Sequence, residues 1–302
     1  MSHNANSTLW PGIKAMAPSF DRLYARVDPA IRSSLQQFRQ SYQPRQIVVN
    51  GLRWKYIVAA EAGAAILFLH GLAGSPDIWW QQMATLQDRY HCLATSYAPA
   101  DSLAEMAGGL LAVLDAEQIE RVNLVGTSLG GYVTQHLLAA HPDRIERAIL
   151  ANTFPPNEII AQTYWLPAAL LPYMPEWLVM AVMRASYRRR IYPSSGHSEL
   201  VLAFLTETTY GQMGKADISG RYRVVTEPFE PAATAARQIP VLIIETDNDP
   251  LVPPDLRLRL RQTYPQAAVH NLSGAGHFPY LNQPDNYNRI LDEFLRRPIR
   301  QT

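Results

Sequence analysis

The sequence predicts an α/β protein: a mostly parallel central sheet with helices on both faces and a helical cap inserted late in the chain. Three observations predict it. Short apolar runs alternate with segments of helical spacing, and a glycine-rich turn joins one such run directly to a helix. A stretch rich in proline, aromatics and arginine then interrupts the alternation once.

The elements follow in order. Ser19 to Tyr42 carries apolar side chains at helical intervals (Phe20, Leu23, Val27, Ile31, Leu35, Phe38), so helical structure interrupted at Pro29 is expected outside the core. Gln46–Val49 and Trp54–Ala59 flank Asn50-Gly51, the dipeptide best suited to a tight hairpin. Ile66–Leu69 is apolar at every position, as a strand covered on both faces should be. Further strands are expected at His91–Ser96, Val122–Val125, Ala148–Ala151, Val241–Glu245 and Ala268–Leu272. Helices are expected near Ile78–Leu86, Ser102–Leu114, Ser128–Ala140, Pro254–Thr263 and Asp285–Leu295. Such alternation produces parallel strands joined by crossover helices. The chain thus divides into an N-terminal helical extension (1–44), a core (45–154 and 232–302) and a helical cap (155–231).

Composition bounds the chemistry. The 302 residues are 47% hydrophobic, enough for one large core and a modest insertion. The 27 basic and 26 acidic side chains nearly cancel, which argues against a nucleic-acid footprint. A single cysteine, Cys92, excludes an internal disulfide framework and is too little for a structural zinc site; it reads as a buried, inert thiol. That usage fits a reducing cytoplasm, and Met1 to Pro18 carries no signal-peptide pattern. The most apolar region, Ile159 to Met183, is broken by Pro167, Pro172 and Pro175 and never reaches the roughly 18 uninterrupted apolar residues of a membrane span. No transmembrane segment is expected.

Gly126-Thr-Ser-Leu-Gly130 follows the apolar Val122–Val125 and opens a helix. A serine on such a strand-to-helix turn is held in a crowded backbone conformation with its hydroxyl exposed, and small neighbours make room for it. The alternative reading of the same residues is a silent turn with serine as helix cap. His70-Gly-Leu-Ala-Gly-Ser75 follows Ile66–Leu69, where the Leu72 N–H can join the Leu129 N–H in holding an oxyanion. His70 itself reads as a structural residue of that loop. Val241–Glu245 runs into an acidic turn with two candidate carboxylates, Asp247 and Asp249; an aspartate there either orients a histidine or caps its own turn. Gly274-Ala-Gly-His277 follows the last strand, so an imidazole can approach the serine. Serine, aspartate and histidine in this chain order, each at a strand end, suit nucleophilic catalysis.

These residues carry a resemblance. The set HGLAGS, GTSLGG, ETDNDPLVP and GAGHFPYL resembles the α/β-hydrolase fold family, across nearly all of Gln46 to Leu295. Within it the chain is similar to the maspardin-like branch, through Gly126–Tyr132, Ala148–Phe154, Tyr164–Pro167 and Phe278–Leu281. The resemblance implies an eight-stranded core with a cap over the site. It selects Asp249 rather than Asp247 as partner of His277, completing a catalytic set with Ser128. Maspardin is viewed mainly as an adaptor with an imperfect triad, whereas both Asp249 and His277 stand here.

The resulting expectation is a serine carboxylic-ester hydrolase working on a small-molecule ester, with no metal or organic cofactor. Cap side chains such as Tyr164, Trp165 and Trp177 are expected to hold an apolar acyl or aryl group. Alternatives are a maspardin-like adaptor with little turnover, a carbon–carbon bond hydrolase, or an aminopeptidase. The basic run Arg188–Arg190, with Arg184, reads as a solvated helix face or an anion-recognition patch. Nothing in the sequence fixes an oligomeric state.

Overall fold

A computed structural model describes residues 17–231 and 239–298. Most of the segment read for a signal peptide, the first part of the N-terminal extension and the junction at 231/232 therefore lie outside the described residues.

Strands β1 (Arg45–Val49) and β2 (Leu52–Ala59) form the expected hairpin. Asn50 and Gly51 both take positive φ, 50° and 81°, which a two-residue turn of this hand requires. β3 (Ala64–Leu69), β4 (Tyr90–Thr95), β5 (Val122–Thr127), β6 (Ile145–Ala151), β7 (Val241–Thr246) and β8 (Ala268–Leu272) complete the sheet. Its eight strands lie in the order β1-β2-β4-β3-β5-β6-β7-β8. β2 is antiparallel to both neighbours, and every pair from β4 onward is parallel.

Helices α1 (Phe20–Leu23) and α2 (Pro29–Ser41) precede the sheet. The break between them falls before Pro29, not at it. Asp28 caps α2 through Oδ1, which accepts from the Ala30 and Ile31 amides at 2.8 and 3.3 Å, and proline occupies the first turn, where its missing N–H costs nothing. α3 (Trp80–Leu86), α4 (Leu103–Ala116) and α5 (Leu129–Ala140) follow β3, β4 and β5. Between β6 and β7 the chain inserts α6 (Glu158–Leu170), α7 (Glu176–Ser186), α8 (Tyr192–Ser194), α9 (Glu199–Thr208) and α10 (Lys215–Thr226). α11 (Pro254–Thr263) follows β7, and α12 (Pro279–Asn282) and α13 (Pro284–Leu295) follow β8.

Why β3 is apolar throughout is now plain. Ile66 and Phe68 join the core on one face of the sheet while Leu67 and Leu69 join the core on the other. Successive side chains point to opposite faces, and both faces are covered. Truncating any of them, as in Leu67→Ala, costs about 2–5 kcal/mol through lost contacts and a cavity. The inserted helices add a small core of their own from Leu171, Val179, Met180, Met213 and Ile218. Among the described residues, no helix is long and apolar enough to cross a membrane.

β3 is flanked by β4 on one side and β5 on the other. Chain segments leaving β3 and β5 diverge there, which opens a crevice at the carboxyl ends of these strands. The His70 loop and Ser128 both emerge into it.

Candidate active site

Ser128 stands between β5 and α5 with φ 54° and ψ −120°, a conformation that non-glycine residues rarely adopt. Its surroundings hold it there. The Ser128 amide donates to Ala151 O at 3.0 Å, and Ser128 O accepts from Thr153 Oγ1 at 2.7 Å. Helix α5 presses onto the sheet so closely that a Cβ on Gly126 would lie 2.3 Å from Gly130 O. One on Gly130 would lie 2.1 Å from Leu69 O. The glycines flanking the serine are thus a packing requirement. Ser128 is half-buried, so its hydroxyl has solvent access, and Leu129 begins α5, where amides have no intrahelical partner.

Asp249 and His277 are brought together 28 residues apart in sequence. His277 Nδ1 lies 2.9 and 2.8 Å from the two Asp249 oxygens. Asp249 Oδ1 also accepts from the Leu251 and Val252 amides, at 2.8 and 3.1 Å, and Oδ2 accepts from Asn152 Nδ2 at 2.8 Å. Burial by itself raises the Asp249 carboxyl; His277, Asn152 and the Leu251 amide outweigh it and hold the group below the ordinary range. An ionised carboxylate only accepts, so Nδ1 carries the proton and Nε2 is left as the ring's acceptor. Among the described residues no hydrogen bond joins Ser128 Oγ to the His277 ring. In free enzymes such contacts are commonly long and close on substrate binding.

Asp247, the other candidate carboxylate, has different work. It accepts from Ser273 Oγ at 2.7 Å and from the Gly274 amide at 2.8 Å, which lowers its pKa and ties the turn after β7 to the one after β8. Asn248 adds to this tie by accepting from the Gly276 amide at 2.9 Å. Gly276 has φ 66°, and a Cβ there would meet Ser194 O at 2.9 Å. The loop that carries His277 is thus fixed along its length.

His70 is fully buried, with Nδ1 2.7 Å from Gly71 O and its ring 4.3 Å from that of Tyr97. Burial first, then the nearby Arg221 charge, push its pKa well down, so it is neutral. Leu72 sits in the turn closed by the Gly74 amide donating to Gly71 O at 3.1 Å. A Cβ on Gly71 would touch Ser128 Cβ at 3.2 Å, so this turn lies beside the serine.

Two aromatic residues of the insertion do not sit as the sequence suggests. Trp165 is 63% exposed and Trp177 56%, so their indoles project largely into water instead of enclosing an acyl pocket. Tyr164 is half-buried, its ring 5.1 Å from that of Tyr222. The helical spacing of α6 explains the outcome. Trp165, Leu166, Ala169, Leu170 and Tyr173 form one outward stripe, while Ile160 and Tyr164 take the inward one. The arginines also disperse. Arg184 lies over the Tyr210 ring, Arg190 donates to Pro250 O at 2.8 Å, and Arg188 and Arg189 are exposed.

Cys92 is buried on β4, and burial pushes its thiol up to about 12. Among the described residues, no three His, Cys, Asp or Glu side chains gather as a metal-ligand set. A shallow cleft of about 550 Å³ lined by Arg45, Glu61, His91 and Arg121 lies at the amino end of β3, opposite to Ser128.

Sequence reasoning missed Asn152 and Arg221. Asn152 follows β6 at φ 43°, where asparagine is among the few side chains tolerated; an asparagine just past a strand end is the signal that could have found it. Residues 64–284 match the family model described as alpha/beta hydrolase fold. The chain belongs to that family. Within it, this α/β-hydrolase is 24% identical to mouse (Mus musculus) maspardin over 255 residues, 81% of this chain and 80% of that protein. It is 26% identical to the putative carbamate hydrolase RutD of Variovorax paradoxus over 256 residues, 78% and 92% of the two chains. Its fold is similar to that of a hydrolase from Pseudomonas aeruginosa PA01, with a TM-score of 0.74, 19% identity, and 84% and 99% of the chains covered.

Proposed function

We propose that this protein is a serine hydrolase that cleaves carboxylic esters through an acyl-enzyme. The observation that carries the reading is the conformation of Ser128, forced to positive φ between β5 and α5 while Asp249 and His277 are paired at the ends of β7 and β8. In this reading Ser128 Oγ attacks the ester carbonyl carbon as His277 Nε2 takes its proton. The Leu72 and Leu129 amides hold the resulting oxyanion. Collapse of the tetrahedral intermediate expels the alcohol, which takes the proton from His277. Water then attacks the acyl-enzyme by the same route, releasing the acid and restoring Ser128. Asp249 keeps the imidazole in the tautomer this sequence needs.

The residues beside the proposed machinery, Leu72, Leu129 and Phe278, are apolar, which favours an apolar acyl or aryl group. The inserted helices α6–α10 are proposed as the cap over the site, with Tyr164 rather than the exposed Trp165 and Trp177 as its inward aromatic. A carbamate, the substrate class named for the RutD relative, presents the same electrophilic carbonyl.

Labelling by a fluorophosphonate probe, followed by turnover on p-nitrophenyl esters of increasing chain length, tests the reading. Ser128→Ala should lose both labelling and turnover while keeping its circular dichroism spectrum; turnover like the parent's would overturn the assignment. A second reading, a protein-binding module with little turnover, is favoured by the outward apolar stripe of α6 and by the similarity to maspardin. Absence of labelling in the parent chain would favour it.

A further inference from the structure

Helix α10 carries an arginine where its apolar stripe should continue. Ile218, Arg221, Val224 and Val225 share the buried face, and Arg221 is only 3% exposed. Gly220 beside it lets the helix sit hard against the segment after β4: a Cβ there would lie 2.8 Å from Ala100 O. Among the described residues, Arg221 makes no ion pair, and its Nε has no hydrogen-bond partner. A buried cation is costly even with the Asp217 carboxylate one turn back on the same helix, so its position calls for a physical reason.

Its contacts supply one. Nη1 donates to Leu72 O at 2.5 Å and to Gly74 O at 3.3 Å, with Met213 Sδ at 3.1 Å. The guanidinium lies over the Tyr97 ring, 5.6 Å from its centroid, and the Tyr97 hydroxyl donates to His70 O at 2.7 Å. Gly71 O receives His70 Nδ1 and the Gly74 amide. The carbonyls of His70, Gly71, Leu72 and Gly74 are therefore all held. In a trans peptide the carbonyl and the following N–H point in opposite directions. Fixing Gly71 O on one side aims the Leu72 N–H to the other, and Arg221 locks the next peptide plane and with it the backbone of Leu72.

We propose that Arg221 is a positioning residue for the reaction: it fixes the Leu72 backbone for oxyanion binding. The inference rests on the reading of Ser128 as nucleophile. It makes the inserted helices part of the oxyanion site, because α10 reaches across 149 residues of sequence to hold Leu72.

The test uses Arg221→Gln, Arg221→Ala and Arg221→Lys in the full chain, with p-nitrophenyl butyrate and a fluorophosphonate. Arg221→Gln should lower kcat about 10- to 100-fold, below the cost of removing a direct oxyanion donor, with KM changed less than about threefold. Fluorophosphonate labelling should slow in parallel. Arg221→Lys, which keeps the charge and loses the fork, should fall between, and guanidinium chloride at tens of millimolar should restore part of the kcat of Arg221→Ala. A rise in KM with kcat unchanged, labelling at the parent rate, or a loss of kcat that merely tracks the folded fraction by circular dichroism overturns the proposal. If Arg221→Gln fails to fold, Arg221→Lys with parental kcat overturns it equally. Absence of labelling in the parent chain would instead defeat the nucleophile assignment itself.

Discussion

Asn152 Nδ2 donates to Asp249 Oδ2 at 2.8 Å, linking the end of β6 to the turn after β7 across 97 residues of sequence. The same amide donates to Thr246 Oγ1 at 3.0 Å, and Thr246 Oγ1 donates to Gly276 O at 2.6 Å. One side chain therefore ties the carboxylate, the end of β7 and the loop before His277 into a single buried network. Buried polar groups in such a network stabilise only while each keeps its partner.

Asn152→Ala should act on both charge and position. Losing a donor to the ionised carboxylate costs about 1–3 kcal/mol. It also removes one of the interactions that hold the Asp249 pKa down. The acid limb of kcat/KM on a p-nitrophenyl ester should therefore move to higher pH, with a lower plateau. A limb that stays in place, measured from pH 3 to 8, contradicts this role.

The two carboxylates of the acidic turn should separate cleanly. Asp249→Asn presents an amide to His277 Nδ1 and favours the wrong tautomer, a change that costs about 10⁴ in kcat in serine hydrolases. Asp247→Asn leaves His277 paired and weakens the Ser273 and Gly274 contacts, so kcat should fall less than about tenfold. Steady-state kinetics of both variants settles the choice, and a reversed order would reassign the carboxylate.

Stability should depend on pH through the same group. Asp249 titrates below its ordinary value in the folded chain and near 3.9 once unfolded. Its ionised form thus stabilises the fold fully above the unfolded value, and that contribution is lost as pH falls through the folded one. Melting temperatures of the parent and Asp249→Asn, taken from pH 7 to pH 3, should converge on the acid side. A gap that stays constant would show that the charge of Asp249 plays no part.

Packing between β2 and α4 offers a test independent of chemistry. Trp54 is fully buried, and a Cβ on Gly109 of α4 would come within 2.0 Å of its ring. Helix propensity alone favours alanine over glycine by about 1 kcal/mol. Overpacking against a ring held on all sides costs about 1–3 kcal/mol, so Gly109→Ala should destabilise. Chemical denaturation should show a lower midpoint for Gly109→Ala and none for Gly108→Ala, whose position is open.

The sequence by itself determined what depends on neighbours along the chain. A continuous apolar run placed Ile66–Leu69 inside β3, Asn50-Gly51 closed the β1–β2 hairpin, and Gly126 to Gly130 marked the strand-to-helix turn at Ser128, because period and turn chemistry are local properties. The chain order of Ser128, Asp249 and His277 was legible for the same reason: each follows a strand, and parallel strands end on one side of a sheet. Tertiary structure alone decided the rest. Asp247 and Asp249 are two residues apart and chemically identical; resemblance selected Asp249, but the physical reason lies in the facing loop, with Ser273 and Gly274 on one side and His277 on the other. Trp165 read as a lining residue because hydrophobicity does not say which way a helix is rotated, and packing turned it outward. Asn152 and Arg221 carried no local signal for their partners Asp249 and Leu72, since a hydrogen bond between distant segments exists only once the sheet has brought them together.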